Sequence, residues 1–333
     1  MTLATLYLGL NLKTPLVASA SPLNAKLDNL RRLEDAGAAA IVLPSLFQEQ
    51  VEHEEAANEA KQLAYADSSP EAMTYFPPAS AGPYGLVPER YLDLVRRGSD
   101  AVSIPVIASL NGSSKAGWIE YVGLVAGAGA DAIELNMYHI PADLVESGRD
   151  IEARYIDIVD AVCRTVQVPV SVKLTPYLSS IGHFATTLVD HGAAGLVLFN
   201  RLLEPDIDLE TMHLSDRLVL STPEELRLPL LWTAILAGRT PASLATSSGV
   251  GGTVEVVKCI LAGADAVMTT SAVLRDGVGA MTTMVNGLRR WMEEREIPDL
   301  AAMRGMMSWE RSRDRSIYTR ANYLRILERY ANA

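Results

Sequence analysis

The triplet Ala-Gly-Ala recurs before apolar runs at Ala36-Gly37-Ala38 and Ala128-Gly129-Ala130, and His191-Gly192-Ala193 and Ala262-Gly263-Ala264 repeat its pattern. Each reads as a helix end, with glycine at the left-handed cap position and the chain passing at once into a strand. The runs so delimited are Leu16–Ala20, Ala39–Pro44, Pro105–Leu110, Ala132–Asn136, Val168–Leu174, Gly195–Asn200, Ser243–Ser247 and Ala266–Thr270. Most are continuously apolar rather than alternating, as strands covered on both faces must be. Helical patterns fill the gaps. Repeated through eight strands, this order closes a parallel (β/α)8 TIM barrel more naturally than it builds an open sheet. A preceding segment, Leu6–Lys13, is predicted as a hairpin. No low-complexity linker interrupts the chain, which predicts a single domain over 1–333, its core at about 14–294, with a helical extension over 298–333.

Composition sets the outer bounds. With 49 % hydrophobic and 21 % charged residues the chain has enough apolar material for a large core. A net charge of −11 argues against nucleic acid as a partner, because phosphate contacts need a basic surface, but a small anion needs only a local cation. Cys163 and Cys259 stand on separate presumed helices, which predicts no disulfide framework and a reducing, cytoplasmic setting. No run reaches the ~18 apolar residues of a membrane span, and no basic-then-apolar leader opens the chain, so no membrane partner is expected.

Three segments exceed a minimal barrel. Residues 46–86 begin with the acidic run Glu49, Glu52, Glu54, Glu55 and Glu59, read as a solvated helix face, and continue through Tyr75–Tyr84. That insertion is placed to cover an active site. Residues 201–222 form a second excursion. In the tail, Tyr323, Leu324, Ile326, Leu327 and Tyr330 have the spacing of a helix docked on the barrel or on a partner subunit.

In a barrel of this kind chemistry gathers where strands end. The seventh strand runs into Ser247-Ser248-Gly249-Val250-Gly251-Gly252-Thr253, and the eighth ends in Thr270-Ser271. Gly249, Gly251 and Gly252 let backbone approach a ligand, and a helix opening at Thr253 aims N–H groups at an anion, which predicts a phosphate site. The first strand ends in Ala18-Ser19-Ala20-Ser21, small enough for a flat ligand, and the second in Pro44-Ser45. Asn111, Asn136 and Asn200 close three further strands, where each brings a donor and an acceptor to a ligand edge. Lys173 sits in an otherwise apolar strand, where a cation is costly unless paired. Three readings stay open for it: an ion pair with Glu134 on the neighbouring strand, a cation beside an anionic cofactor, or a Schiff-base amine. His139, just beyond Asn136, is either a surface residue or a general base.

Taken together, Glu134-Leu135-Asn136, Val172-Lys173-Leu174-Thr175-Pro176-Tyr177, Gly249-Val250-Gly251-Gly252 and Thr270-Ser271 resemble the dihydroorotate dehydrogenases, specifically the soluble class 1 enzymes. The resemblance runs from about Leu6 to about Trp291. It implies an FMN-dependent oxidoreductase acting on CH–CH groups, a step of pyrimidine biosynthesis, with the phosphate on the seventh and eighth strand loops. It further implies a homodimer. By correspondence Lys173 lies near flavin N1 and O2, where positive charge favours the reduced ring, and Asn136 and Asn200 match asparagines of the flavin and pyrimidine site. Several positions depart from the family pattern. Pro44-Ser45 stands where the family has Lys-Ser, and Met137-Tyr138-His139-Ile140-Pro141 replaces Leu-Ser-Cys-Pro-Asn. His139 thereby takes the position of the cysteine base, Pro141 that of a substrate asparagine, and Gly82 stands near another. A glycine-rich segment expected after the sixth strand is absent, with Ser221-Thr222-Pro223-Glu224-Glu225 nearby. These differences make a related small saturated or unsaturated acid or amide an alternative substrate. Two further alternatives are a flavin-free aldolase or lyase using Lys173, and a flavin-binding protein impaired in catalysis.

Overall fold

A computed structural model describes residues 2–51, 87–112, 115–138, 140–202, 204–215 and 217–332. Eight parallel strands close a barrel: β3 (Leu16–Ala18), β4 (Ala40–Phe47), β5 (Val106–Asn111), β6 (Ala132–Asn136), β7 (Val170–Lys173), β8 (Gly195–Leu198), β11 (Ser243–Thr246) and β12 (Ala266–Thr269). All eight predicted strands are present, and β12 pairs with β3 to complete the circle. The predicted caps are found as well, for Gly37, Gly129, Gly192 and Gly263 all have φ between 99° and 121°. Antiparallel β1 (Thr5–Tyr7) and β2 (Leu10–Leu12) form the N-terminal hairpin.

Strand residues alternate between two cores. Ile133 and Leu135 join the outer cluster beneath the helices, whereas Ala132 joins the inner one. Ala40, Ala132, Ala245 and Ala266 keep the inner cluster's wall thin, and the hairpin's Tyr7, Leu8 and Leu12 fill the room they leave. At Gly195 a Cβ would lie 2.4 Å from Leu8 Cδ2, so only glycine admits the plug there. The hairpin thus stoppers the N-terminal end, and the polar residues collect at the other.

One strand boundary moved for an identifiable reason. The sequence reading stopped the second strand at Pro44, but β4 continues to Phe47 through a register shift between Val42 and Ser45. A bulge absorbs the missing proline N–H and re-aims the following residue, so Ser45 comes opposite Ser109. The excursion after β8 contains a small antiparallel ribbon, β9 (Asp206–Asp208) and β10 (His213–Ser215), with Ile207, Leu209, Met212 and Leu214 exposed.

Helices surround the barrel. Of those used below, α1 is Leu27–Asp35, α2 Val87–Ala101, α3 Lys115–Gly127, α4 Gly148–Thr165, α5 Ile181–Asp190 and α6 Arg227–Leu236. They continue as α7 (Thr253–Ala262), α8 (Ser271–Asp276), α9 (Gly279–Glu293), α10 (Leu300–Met303) and α11 (Ala321–Ala331). In α4, Ile151, Tyr155, Ile158, Val159 and Val162 face the barrel at helical spacing, and Ser147 caps the start by accepting from the Asp150 N–H. Of the two placements expected for the tail, on the barrel or on a partner subunit, the first is not seen. Tyr323, Leu324, Ile326, Leu327 and Tyr330 of α11 are all exposed, so the helix does not dock its apolar face on its own barrel. Cys163 and Cys259 are unpaired thiols, and among the described residues no helix is long and apolar enough to cross a membrane. The acidic run beyond Glu49 and the Tyr75–Tyr84 stretch with Gly82 lie outside the described residues.

Candidate active site at the carboxyl ends of the strands

A cavity of about 430 Å³ opens at the C-terminal face of the barrel, within the size range of small-molecule sites. Ser19 and Ala20 form one wall, Ser247–Val250 and Thr269–Ser271 another, with Lys173 below. Leu218–Ser221, from the excursion after β8, covers it, and Tyr138 and Arg201 complete the rim.

Lys173 is only 6 % exposed, yet it lines this cavity. Its ammonium donates to Ser19 Oγ at 3.1 Å and lies 3.6 Å from Glu134 Oε1. The ion-pair expectation is therefore met. It is not the whole account, because the same ammonium faces the cavity. Glu134 is completely buried, and neither of its carboxylate oxygens accepts a hydrogen bond. Burial and the nearby Glu134 carboxylate both push the phenols of Tyr7 and Tyr91 far up, so these neighbours stay neutral.

The asparagines fall into a polar chain beside the lysine. Asn200 donates through Nδ2 to Asn136 Oδ1, and Asn136 Nδ2 lies 3.4 Å from Ser45 Oγ. Ser45 in turn bonds Ser109 at 2.8 Å, so residues from β4, β5 and β6 and the end of β8 are linked. Asn200 reaches the cavity, whereas Ser45 and Asn136 support it from beneath. Asn111 is buried, and its Nδ2 has no hydrogen-bond partner among the described residues.

Three predicted contacts are relocated. Ala18 turns outward into the helix-side core, because it alternates with inward Val17 and Ser19 on β3. Gly251 and Gly252 do not line the cavity, and the Glu255 carboxylate lies beside them instead, 3.6 Å from where a Gly252 Cβ would sit. At Gly249, φ is +73° and a Cβ would fall 2.5 Å from the Leu226 N, so glycine is required by the neighbouring backbone as well as by the turn. Gly249, Thr270 and Ser271 do line the cavity. His139 lies outside the described residues.

Ser221, Arg275 and Asn24 were missed from sequence. Ser221 Oγ donates to Ser271 Oγ at 2.8 Å and lies 3.4 Å from the Gly249 N–H, joining the two loops expected to hold an anion. Arg275, exposed and outside the cavity lining, donates to the Ser221 carbonyl at 2.9 Å and so holds a guanidinium behind that segment. It stands one helical turn beyond Ser271, a spacing visible in sequence. Asn24 donates to the carbonyls of Ser19 and Val42 at 2.9 and 2.7 Å, tying the end of β3 to the first half of β4. The segment carrying Ser221 is anchored by Thr222 and Glu225, a capping box legible as Thr-x-x-Glu. Arg201 pairs with Glu225 at 2.7 Å. Among the described residues no cluster of His, Cys, Asp and Glu is assembled to hold a metal ion.

No family model matches the chain. Among curated proteins, a putative dihydroorotate dehydrogenase A (fumarate) of Aeropyrum pernix is 31% identical over 199 residues, covering 58% of this chain and 64% of that protein. The catalytic subunit of a dihydroorotate dehydrogenase B (NAD(+)) of Methanocella arvoryzae is 28% identical over 295 residues, 87% of this chain and 92% of its own length. A dihydroorotate dehydrogenase A (fumarate) of Limosilactobacillus reuteri is 32% identical over 182 residues, covering 52% and 58%. The chain thus spans just under two thirds of the Aeropyrum protein and nearly all of the Methanocella one.

Proposed function

The chain is a relative of the dihydroorotate dehydrogenases, and on that premise we propose that it is an FMN-dependent oxidoreductase acting on a CH–CH bond of a small polar acid or amide. The observation that carries the reading is Lys173, a buried cation at the floor of a cavity whose far end gathers Gly249, Ser221 and Ser271, with Arg275 held on the Ser221 carbonyl just outside the lining. A flavin mononucleotide has the matching chemistry, a ring favoured in its reduced form by a cation and a phosphate that needs hydroxyl, backbone and guanidinium donors. Lys173, Ser19 and Asn200 would face the ring, with Asn136 behind them. Asn111 Nδ2, buried and without a partner among the described residues, is a donor left over for a ligand in the same layer. When bound, the flavin would accept hydride from the substrate, while the chain orients both and holds charge at Lys173.

The Schiff-base alternative is less well supported, since an ammonium set against a buried carboxylate serves as a cation rather than a nucleophile. The substrate is proposed to differ from dihydroorotate. Pro141 is exposed and has no side-chain donor where the family pattern has an asparagine. Each lost polar partner costs about 1–3 kcal/mol, so two losses lower kcat/KM for dihydroorotate by about one to four powers of ten. His139 is the proposed base. A cytoplasmic setting suits the two unpaired thiols.

The purified protein is expected to be yellow, with one FMN released per chain on denaturation. A colourless preparation that stays colourless after FMN is added refutes the proposal. With flavin bound, rapid bleaching by dihydroorotate refutes the specificity claim, and unchanged bleaching by the true donor in His139→Ala removes the base.

A further inference from the structure

Glu134 is a buried carboxylate whose oxygens accept no hydrogen bond among the described residues, which put one cation in its reach and share that cation with the cavity. The groups facing it are Lys173 from β7, the neutral phenol of Tyr7 from β1 and that of Tyr91 from α2. Asp265 acts on Tyr7 from the opposite end of the barrel, but it is paired with Arg304. Arg201, the other cation on the cavity rim, is committed to Glu225. A single ammonium therefore serves two negative charges whenever an anionic ring occupies the cavity. A buried carboxylate left without its counter-ion is costly, and it avoids the cost by binding a proton.

We infer that Glu134 is a positioning residue that couples the redox state of the cofactor to proton uptake: it takes one proton from solvent each time the ring beside Lys173 gains an electron pair and becomes negative. The inference rests on the flavin reading above. The balance is closed. Two electrons and one proton leave the reduced ring with a single negative charge, and the second proton neutralises Glu134. On reoxidation Glu134 releases that proton and recovers Lys173 as its partner. A solely structural role for the pair would leave Glu134 ionised throughout and would add no proton to the count.

The test measures the midpoint potential of the FMN-loaded protein against pH, between about pH 7 and 9, where its slope counts the protons taken up per electron pair. The expected count is two for the wild type and one for Glu134→Gln, whose amide keeps the shape without the charge. In the same pH range reduced FMN should also bind Glu134→Gln about tenfold or more tightly than the wild type, because the wild type must protonate Glu134 to free Lys173 and the variant need not. A wild-type count of one overturns the inference, whether or not the variant folds. Equal counts in the two loaded proteins also overturn it, leaving the flavin reading intact. Failure of the wild type to bind FMN overturns both.

Discussion

At the scale of single residues, the chemistry turns on how Lys173 divides its charge. Lys173→Met removes the cation and leaves Glu134 buried without compensation, which is expected to cost about 3–5 kcal/mol when Glu134 stays ionised. Urea unfolding of the flavin-free variant reads this cost, and Lys173→Met/Glu134→Gln should recover part of it because the uncompensated charge is gone. A Lys173→Met protein as stable as the wild type would mean that the two side chains are not energetically coupled. In the same variant FMN is expected to bind about ten- to a hundredfold more weakly, from the loss of one charge-assisted contact worth about 1.5–3 kcal/mol.

At the scale of elements, the site depends on a loop packed against a loop. Gly249 lies against Leu226 N and the Thr222 carbonyl, both in the segment that carries Ser221. Gly249→Ala puts a methyl group into that contact at a left-handed φ, so it is expected to lower stability by about 1–3 kcal/mol and to open the cover of the cavity. The first effect is read in the urea midpoint and the second in FMN release. Arg275→Met keeps the bulk on α8 but removes the guanidinium from the Ser221 carbonyl. About a tenfold loss of FMN affinity is expected, with riboflavin affinity unchanged because riboflavin has no phosphate. Equal losses for both ligands would move the phosphate end of the site elsewhere.

At the scale of the whole molecule, α11 leaves five large apolar side chains in solvent, from 46 % exposed at Leu327 to 85 % at Tyr330. Such a contiguous face marks an interaction surface. We propose that the chain pairs with a second copy and that this helix contributes to the contact. Sedimentation equilibrium should return twice the chain mass, falling to the single mass when residues 320–333 are removed. Because the helix buries no apolar face on its own barrel, the truncated protein should keep its FMN and its spectrum. A wild-type protein of single mass would set the proposal aside.

The eight strands, their glycine caps and the N-terminal hairpin were legible in sequence because each is set by local physics. Apolar runs, turn chemistry and left-handed glycines act over a few residues, whatever lies beyond them. The strand ends that carry Ser19, Lys173, Asn200 and Ser271 were legible for the same reason, since a strand's last residues are known once the strand is. Register and reach were not. The bulge at Pro44 sets Ser45 opposite Ser109, and alternation along β3 turns Ala18 away from the cavity and Ser19 toward it. Ser19 and Lys173 meet across 154 residues, and Ser221 reaches Ser271 across 50. Such meetings depend on how the barrel closes and which side chains plug it, because a side chain finds its partner only after every intervening strand has taken its place.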